Sequence, residues 1–195
     1  MIQRLAFGTA LLVLVVAAAS IASMRIGATS AGWPLPSGSF VATGRAGIAV
    51  GDTALDFVGD DGRVPLLVDL DGRPIHLADF AGRPLWIVFW ATWCTPCQLE
   101  AADILAAYHA HQGDGLAVLA IDLQEPAATV RDYVRMHDLD YAIGLDATAA
   151  VRTQYAAWAL PSHIFVDGRG VVRDRYLGQL TANLMEEQVR ALVGS

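Results

Sequence analysis

Apolar residues in the middle of the chain predict one central strand that is followed at once by a helix. The run from Trp86 to Trp90 is uninterrupted and contains β-branched and aromatic side chains, which is typical of a buried strand. The window from Gln98 to Gln112 is rich in good helix formers. Between these two segments lie Cys94 and Cys97. We therefore expect both cysteines near the start of a helix that follows a buried strand.

Strand and helix patterns alternate through the rest of the chain. Further strands are predicted at 115–123, 141–145, 162–166 and 171–176, and helices at 125–137, at 146–155 and after Thr181. Asp146 and Thr181 are expected to cap their helices, and residues 167–170 to form a hairpin turn. Shorter β runs precede the central strand, at 55–57, 63–68 and 75–77. This order predicts an α/β fold, a sandwich with a mixed central sheet and an N-terminal β extension.

The N-terminal segment is apolar enough to span a membrane. Residues Leu5 to Met24 carry no charge, and a helix of this length covers about 30 Å, the thickness of a bilayer's hydrocarbon core. A cleaved signal peptide is the alternative, because 17–19 and 20–22 offer small residues at cleavage spacing. The apolar region of a signal peptide is usually shorter, so we favour a single-pass anchor. Either role places the rest of the chain outside the cytoplasm, on the periplasmic or outer face.

These patterns divide the chain into three parts. Residues 1–25 form the signal-anchor or signal peptide, and 26–50 form a flexible linker rich in Gly, Ala, Ser and Pro. Residues 51–195 form the folded domain. The net charge of −7 argues against nucleic acid as a partner, since that partner needs clustered Lys and Arg.

The chain has only two cysteines, so a structural disulfide framework is excluded. Pro96 suits the first turn of the helix, where its missing N–H costs nothing. Cys94 would then sit exposed at the helix N-terminus, where the helix dipole favours the thiolate that attacks disulfides. Cys97 lies one turn further on, and we expect it to be more buried and to act as the resolving thiol. Thr95 and Pro96 set the turn between the two cysteines.

The segment FWATWCTPCQLE, residues 89–100, resembles the active-site strand and helix of the thioredoxin superfamily. It is closest to the membrane-anchored TlpA-like and ResA-like thiol-disulfide oxidoreductases, and the resemblance covers roughly 50–193. It implies a thioredoxin-like three-layer sandwich and disulfide exchange with exported proteins, without a cofactor or a resident metal. It also implies that Pro161 is a cis proline that packs against the two cysteines. The backbone of Leu160 would then pair with the bound substrate.

Two positions near the cysteines bear on proton transfer: one departs from the thioredoxin pattern, and the other has two possible roles. Many thioredoxins carry a buried Asp six residues before the first cysteine, and this chain has Val88 there. Glu100 shares a helix face with Cys97. It either assists proton transfer at the cysteines, as in some relatives, or is a first-turn acid that complements the helix dipole.

The aromatic and histidine residues near the motif are expected to divide between core and site. Trp86, Trp90 and Trp158 are predicted to be core residues. Trp93 borders Cys94 and is expected, together with Thr95, Pro96 and Leu160, to form a shallow surface on which substrate docks. His163 follows Pro161 by two residues, and we expect it to be a satisfied strand histidine rather than a ligand.

Three functions compete at this point. The leading one is an anchored thiol-disulfide oxidoreductase; as a reductant it would need electrons from a membrane partner, and relatives often serve cytochrome c or metal-centre maturation. The second is a thioredoxin-like copper chaperone, although those proteins usually have three residues between the cysteines. The third is a peroxidase of the related redoxin group, whose P-x-x-x-T-x-x-C pattern is missing here.

Overall fold

The computed structural model describes residues 47–194. The predicted anchor, and nearly all of the predicted linker, lie outside the described residues. None of the helices in the described part of the chain is long and apolar enough to cross a bilayer. The folded region includes residues before the predicted boundary at residue 51, because Ile48 is 3% exposed. Its carbonyl oxygen also accepts a hydrogen bond from Arg175 Nη1 at 2.6 Å.

A five-stranded mixed sheet forms the centre of the fold, as predicted. The strands are β1 (Leu85–Trp90), β2 (Ala117–Leu123), β3 (Ala142–Asp146), β4 (Ser162–Val166) and β5 (Val172–Leu177). Their order is β3-β2-β1-β4-β5. The three strands β1, β2 and β3 run parallel, whereas β4 and β5 pair antiparallel. Every residue of β1 and β2 is buried, since both faces of the sheet are covered.

Helices and loops cover the two faces of the sheet, which gives three layers. The helices are α1 (Thr95–His111), α2 (Ala127–Met136), α3 (Ala150–Gln154) and α4 (Ala182–Val193), and short 3₁₀ turns occur at Leu77–Phe80 and Gln112–Asp114. On one face, Val88 and its neighbours in alternate positions of β1 pack with residues of α1 and α4. On the other face, Ile87 and Phe89 pack with Tyr155 and Phe57. The central sheet therefore divides the hydrophobic core into two parts, one on each face.

Helix caps agree with the sequence in one case and differ in another. The Thr181 hydroxyl accepts from the Leu184 N–H at 3.3 Å and caps α4, as predicted. Asp146 does not occupy the cap position, because α3 begins only at Ala150. Its carboxylate instead accepts from the N–H groups of Ala150 and Arg152, at 2.9 and 2.8 Å. The acid thus stabilises the helix start from the end of β3.

The predicted N-terminal β extension is present as isolated bridges rather than strands. Val58 pairs with Pro65, and Val68 pairs with both Pro74 and Leu145. Two of these partners are prolines, which lack the N–H that a longer ladder requires. The segment still contributes to the core, since Phe57 and its neighbour across the turn, Leu67, are fully buried.

Candidate active site

The two cysteines lie where β1 passes into α1, as the sequence predicts. Cys94 is the cap residue of α1 with an extended backbone conformation, and Pro96 lies in the first turn. The Cys94 Sγ accepts a hydrogen bond from the Cys97 N–H at 3.3 Å. Cys94 and Cys97 form a disulfide with their Cα atoms 5.2 Å apart. The site is therefore in its oxidised form.

The predicted difference in exposure between the two cysteines is wrong for this form. Each cysteine is only 4% exposed. They differ instead in the space that they face. Cys94 lines an open groove of about 400 Å³, whereas Cys97 lines an internal void of about 10 Å³. Cys94 is covered by its groove neighbours and by the bond to Cys97, but only Cys94 borders a space that a protein substrate could enter.

The groove beside Cys94 has two large exposed aromatic walls. Trp93 is 67% exposed and Trp158 is 59% exposed. The prediction that Trp158 is a core residue is therefore wrong, because it lies in the loop after α3 and lines the groove. The Arg152 guanidinium lies 5.6 Å from the centre of the Trp158 ring, a cation–π contact that holds the indole. The remaining lining residues are Thr95, Pro96, Leu123, Gln124 and Leu160.

Pro161 and Leu160 lie at the entrance to β4. The Leu160–Pro161 peptide bond is cis, the isomer that the resemblance implies. Ser162 follows as the first residue of β4, and its hydroxyl donates to the Ala159 carbonyl at 2.5 Å. Leu160 lines the groove together with Cys94 and the residues predicted for docking. The structure thus brings together all four residues of the predicted docking surface.

Glu100 is buried under the disulfide, with 1% of its surface exposed. It lines the internal void with Cys97, Val88 and Tyr141. Its Oε2 atom accepts a hydrogen bond from the Leu180 N–H at 3.1 Å. The alternative that Glu100 is a first-turn acid is wrong, because the first turn of α1 holds no acidic residue. Its burial favours a role at the cysteines over a role at the helix dipole.

His163 contacts Glu100 from the neighbouring strand. Its side chain is fully buried, and its Nδ1 lies 3.3 Å from Trp86 Nε1, which donates to it. Its Nε2 lies 3.3 Å from Glu100 Oε1, within ion-pair distance. Neither of these last two atoms makes an aligned hydrogen bond within the described residues. The prediction of a satisfied histidine therefore holds for Nδ1 only.

Comparison with known proteins assigns the chain to a family. Residues 50–175 match the AhpC/TSA family. The chain belongs to the AhpC/TSA family. It is similar to the thiol-disulfide oxidoreductase ResA of Geobacillus thermodenitrificans, with 29% identity over 77% of this chain and 82% of that protein. The ResA protein of Halalkalibacterium halodurans is 28% identical over 70% of this chain and 73% of its own.

Solved structures support the same fold. A thiol:disulfide interchange protein of the thioredoxin family from Chlorobium tepidum superposes with a TM-score of 0.62 and 22% identity. The superposition covers 75% of this chain and 99% of the other. This AhpC/TSA member therefore has the thioredoxin-like fold. The ResA similarity and the disulfide at the start of α1 make it a thiol-disulfide oxidoreductase.

Two acidic residues of this family member were missed by the sequence reasoning. Glu125 accepts hydrogen bonds from both the N–H and the hydroxyl of Thr92, each at 2.6 Å. Asp122 is fully buried at the end of β2. Burial, and after it the neighbouring Glu125 carboxyl, raises the pKa of Asp122 to about 8. Their position at the carboxyl end of a parallel strand was the available signal, because such ends line functional crevices in α/β sheets.

The metal-carrier alternative finds no support at this site. Among residues 47–194, no group of three or more His, Cys, Asp or Glu side chains could hold a metal ion. His163, two residues after Pro161, is the histidine that the sequence places near the site. Its two ring nitrogens face Trp86 and Glu100 instead.

Proposed function

We propose that this protein exchanges disulfides with other exported proteins through its Cys-Thr-Pro-Cys site. The observation that carries the proposal is the placement of Cys94. It caps α1, and it is the cysteine of the disulfide that lines the groove. The helix N-terminus favours the thiolate form of this residue once the disulfide is reduced. The exposed Trp93 and Trp158 give a protein substrate an apolar surface beside the reacting sulfur.

The exchange runs through a mixed disulfide in which bonds and electrons balance. The Cys94 thiolate attacks one sulfur of a substrate disulfide, and the other substrate sulfur leaves as a thiolate. Cys97 then loses its proton and attacks the Cys94 sulfur. The bond to the substrate breaks, the second substrate sulfur leaves as a thiolate, and the Cys94–Cys97 disulfide forms. The protein is oxidised by two electrons and the substrate disulfide is reduced, and the same steps in reverse oxidise a substrate dithiol.

Glu100 is proposed as the acceptor of the Cys97 proton. The chain carries Val88 at the place where many thioredoxins have a buried Asp, so that route is absent. Glu100 and Cys97 line the same internal void, which is too small for a competing acceptor from a substrate. General acid–base assistance of this kind contributes roughly 100-fold or more to a rate.

The location and the electron source are also proposed. The uncharged segment from Leu5 to Met24 would hold the domain on the outer face of the membrane as a single-pass anchor. A reductant in that compartment needs electrons from a membrane partner, because glutathione and thioredoxin work in the cytosol. Under this proposal the substrates include proteins of cytochrome c or metal-centre maturation. If the mature protein begins near Ser20 or Ser23 and fractionates without membranes, the anchor proposal fails.

Two measurements on the full chain test the proposed activity. The first is the reduction potential of the Cys94–Cys97 pair in glutathione buffers. A potential of about −270 mV indicates a reductant, and a potential of about −120 mV indicates an oxidant. The second is the rate of exchange between the reduced protein and a disulfide-bonded peptide. A Cys94→Ser/Cys97→Ser variant is the control, and a wild-type rate equal to that of this control would sink the proposal.

A further inference from the structure

The imidazole of His163 is the only basic side-chain group among the described residues that lies within ion-pair distance of Glu100. This deepens the proposed function and rests on it, since it concerns how Glu100 is prepared for its task. We propose that His163 is a positioning residue that keeps the Glu100 carboxylate charged and directed toward Cys97. It acts through Glu100 and does not touch the reacting sulfurs.

The contact with Trp86 fixes which ring nitrogen of His163 carries the proton. An indole N–H can only donate, so the His163 Nδ1 atom, 3.3 Å away, must accept. A neutral imidazole with an accepting Nδ1 carries its hydrogen on Nε2. The Nε2 atom faces Glu100 Oε1 at 3.3 Å. The neutral histidine therefore turns its Nε2–H toward the carboxylate.

The buried carboxylate needs this donor. Glu100 is 1% exposed, and an ionised carboxyl in such a place is costly unless it is paired. Its Oε2 has the Leu180 N–H, but Oε1 has no aligned hydrogen bond within the described residues. Without His163, the ionised carboxyl would be buried with no basic side chain beside it among the described residues. A protonated Glu100 cannot accept the proton of Cys97.

The position of His163 in the sheet explains why it can act where Val88 cannot. Val88 and His163 are directly paired across the antiparallel β1–β4 ladder. Directly paired residues point to the same face, so the imidazole lies on the α1 side beside Val88. The chain therefore has an ionisable side chain, His163, on the strand next to the apolar Val88. Glu100 links the histidine to the cysteines, because it contacts His163 and lines the void with Val88 and Cys97.

The tyrosines around the pair stay protonated over the working range. Tyr133 and Tyr141 line the void, and burial raises the pKa of both phenols. Tyr176 pairs with His163 across the β4–β5 ladder. Its hydroxyl donates to Asp174, and burial followed by that hydrogen bond raises its pKa. Asp122, whose pKa is raised to about 8, also titrates in this range, so the Glu100→Gln background is needed to isolate the effect that passes through Glu100.

The proton follows a balanced path in the resolving step. The S–H bond of Cys97 breaks and its proton goes to Glu100, which His163 has kept ionised. The Cys97 sulfur attacks Cys94, and the electron pair of the broken mixed disulfide leaves with the substrate sulfur. The proton on Glu100 is then released to solvent, and the leaving thiolate takes up a proton from solvent, so the protons balance. His163 gains and loses no proton over the cycle.

A double-mutant cycle on the full chain tests this inference. The variants are His163→Leu, Glu100→Gln and the pair of both, and the readout is the rate of mixed-disulfide resolution between pH 5 and 9, by stopped flow with a disulfide-bonded peptide. We expect His163→Leu alone to slow resolution about tenfold or more at pH 7 and to move the rise in rate to higher pH. In the Glu100→Gln background the same change should have no further effect.

Two controls separate this role from a structural one. His109→Leu removes an exposed histidine of α1 that bonds only Asp140 among the described contacts, and it should leave the rate and the pH profile unchanged. Trp86→Phe keeps an aromatic ring but removes the donor that fixes the His163 tautomer. The ring-nitrogen chemical shifts of His163 should report the Nε2–H form in the wild type and a mixture in this variant.

The outcomes are distinguishable from failure of the proposed function. A wild type that does not exchange disulfides refutes the proposed function itself. A wild type that exchanges, with a His163→Leu variant of unchanged rate and pH profile, overturns only the role of His163. Equal slowing by His163→Leu in both Glu100 backgrounds also overturns it, because the effect would not pass through Glu100. If His163→Leu does not fold, the nitrogen shifts of wild type and Trp86→Phe decide, and an Nδ1–H form in the wild type refutes the inference.

Discussion

Glu125 holds Thr92 by two hydrogen bonds, one from the backbone N–H and one from the hydroxyl, each at 2.6 Å. The Gln98 side chain donates to the Thr92 carbonyl at 2.6 Å, so this residue is held on three sides. Thr92 is two positions before Cys94. The clamp therefore fixes the chain where it leaves β1 and enters the disulfide turn.

Thr92→Val tests the strength of this clamp. The substitution keeps the shape and the backbone N–H but removes the hydroxyl donor to a carboxylate. Because hydrogen bonds to charged groups contribute about 1.5–3 kcal/mol and this one is only partly buried, we expect a loss of about 1.5 kcal/mol in the free energy of unfolding. Urea unfolding of the oxidised protein measures it. Thr153→Val is the control, since its hydroxyl donates only to the Ala149 carbonyl of its own turn; an equal loss in both variants would argue against a special clamp.

Asp122 makes the folded protein less stable as the pH rises. Its pKa rises from 3.8 to about 8 on folding, through burial first and Glu125 second. Between these values the folded protein holds a proton that the unfolded chain has released. Its stabilising contribution is complete below about pH 4 and is lost as the pH rises through about 8.

The variant Asp122→Asn isolates this contribution. Its free energy of unfolding should not fall with pH as that of the wild type does. The difference in stability between variant and wild type should therefore shift in favour of the variant between pH 5 and pH 8. Urea unfolding at several pH values checks this, with Asp60→Asn in an exposed turn as the matched control. A wild type and an Asp122→Asn variant with parallel pH profiles would contradict the proton held by Asp122.

The two cysteines should behave differently when each is removed. Cys97→Ala leaves Cys94 on the groove, where it can attack a substrate but cannot be released by a partner thiol. We expect this variant to accumulate mixed disulfides with substrate proteins, and Cys94→Ala to accumulate roughly tenfold less, because Cys97 lines the internal void and not the groove. Non-reducing electrophoresis after acid quenching measures the adducts. Equal amounts from both variants would mean that the two cavities do not govern access.

Trp158 should contribute to substrate binding rather than to the fold. Trp158→Ala removes an exposed indole beside Cys94, and exposed aromatic anchors of this kind are worth about 1–2 kcal/mol in binding, so KM for a protein substrate should rise roughly tenfold. The rate of reaction with a small disulfide such as oxidised glutathione should change little. Met136→Ala is the control, because Met136 is 75% exposed at the end of α2, away from the groove-lining residues. A fall in stability with unchanged KM would mean that Trp158 supports the fold and does not bind substrate.

Local signals in the sequence predicted the frame of the site well. The apolar run that forms β1, the cysteines at the helix start and the Thr181 cap each depend on neighbours within a few positions. Such features are set by backbone geometry and burial, which a single segment reveals. The prolines at 65 and 74 show the limit, since a β pattern there could not become a ladder without the missing N–H groups.

Contacts between distant segments were beyond the sequence pattern. Trp86 and His163 are 77 positions apart, and Thr92 and Glu125 are 33 apart. Their meeting depends on strand order and register, which one sequence does not specify. Trp158 shows the same limit in another way, because an apolar residue in a loop is buried or exposed according to what packs over it.

The short distance between the cysteines has a consequence for survival when peroxide is present. A peroxide that reaches reduced Cys94 from the groove converts it to a sulfenic acid, which can proceed to irreversible sulfinic acid. The Cα atom of Cys97 lies 5.2 Å from that of Cys94 in the disulfide form, so the second thiol is in place to condense with the sulfenic acid. Oxidative damage then ends in the same disulfide from which the next round of exchange begins.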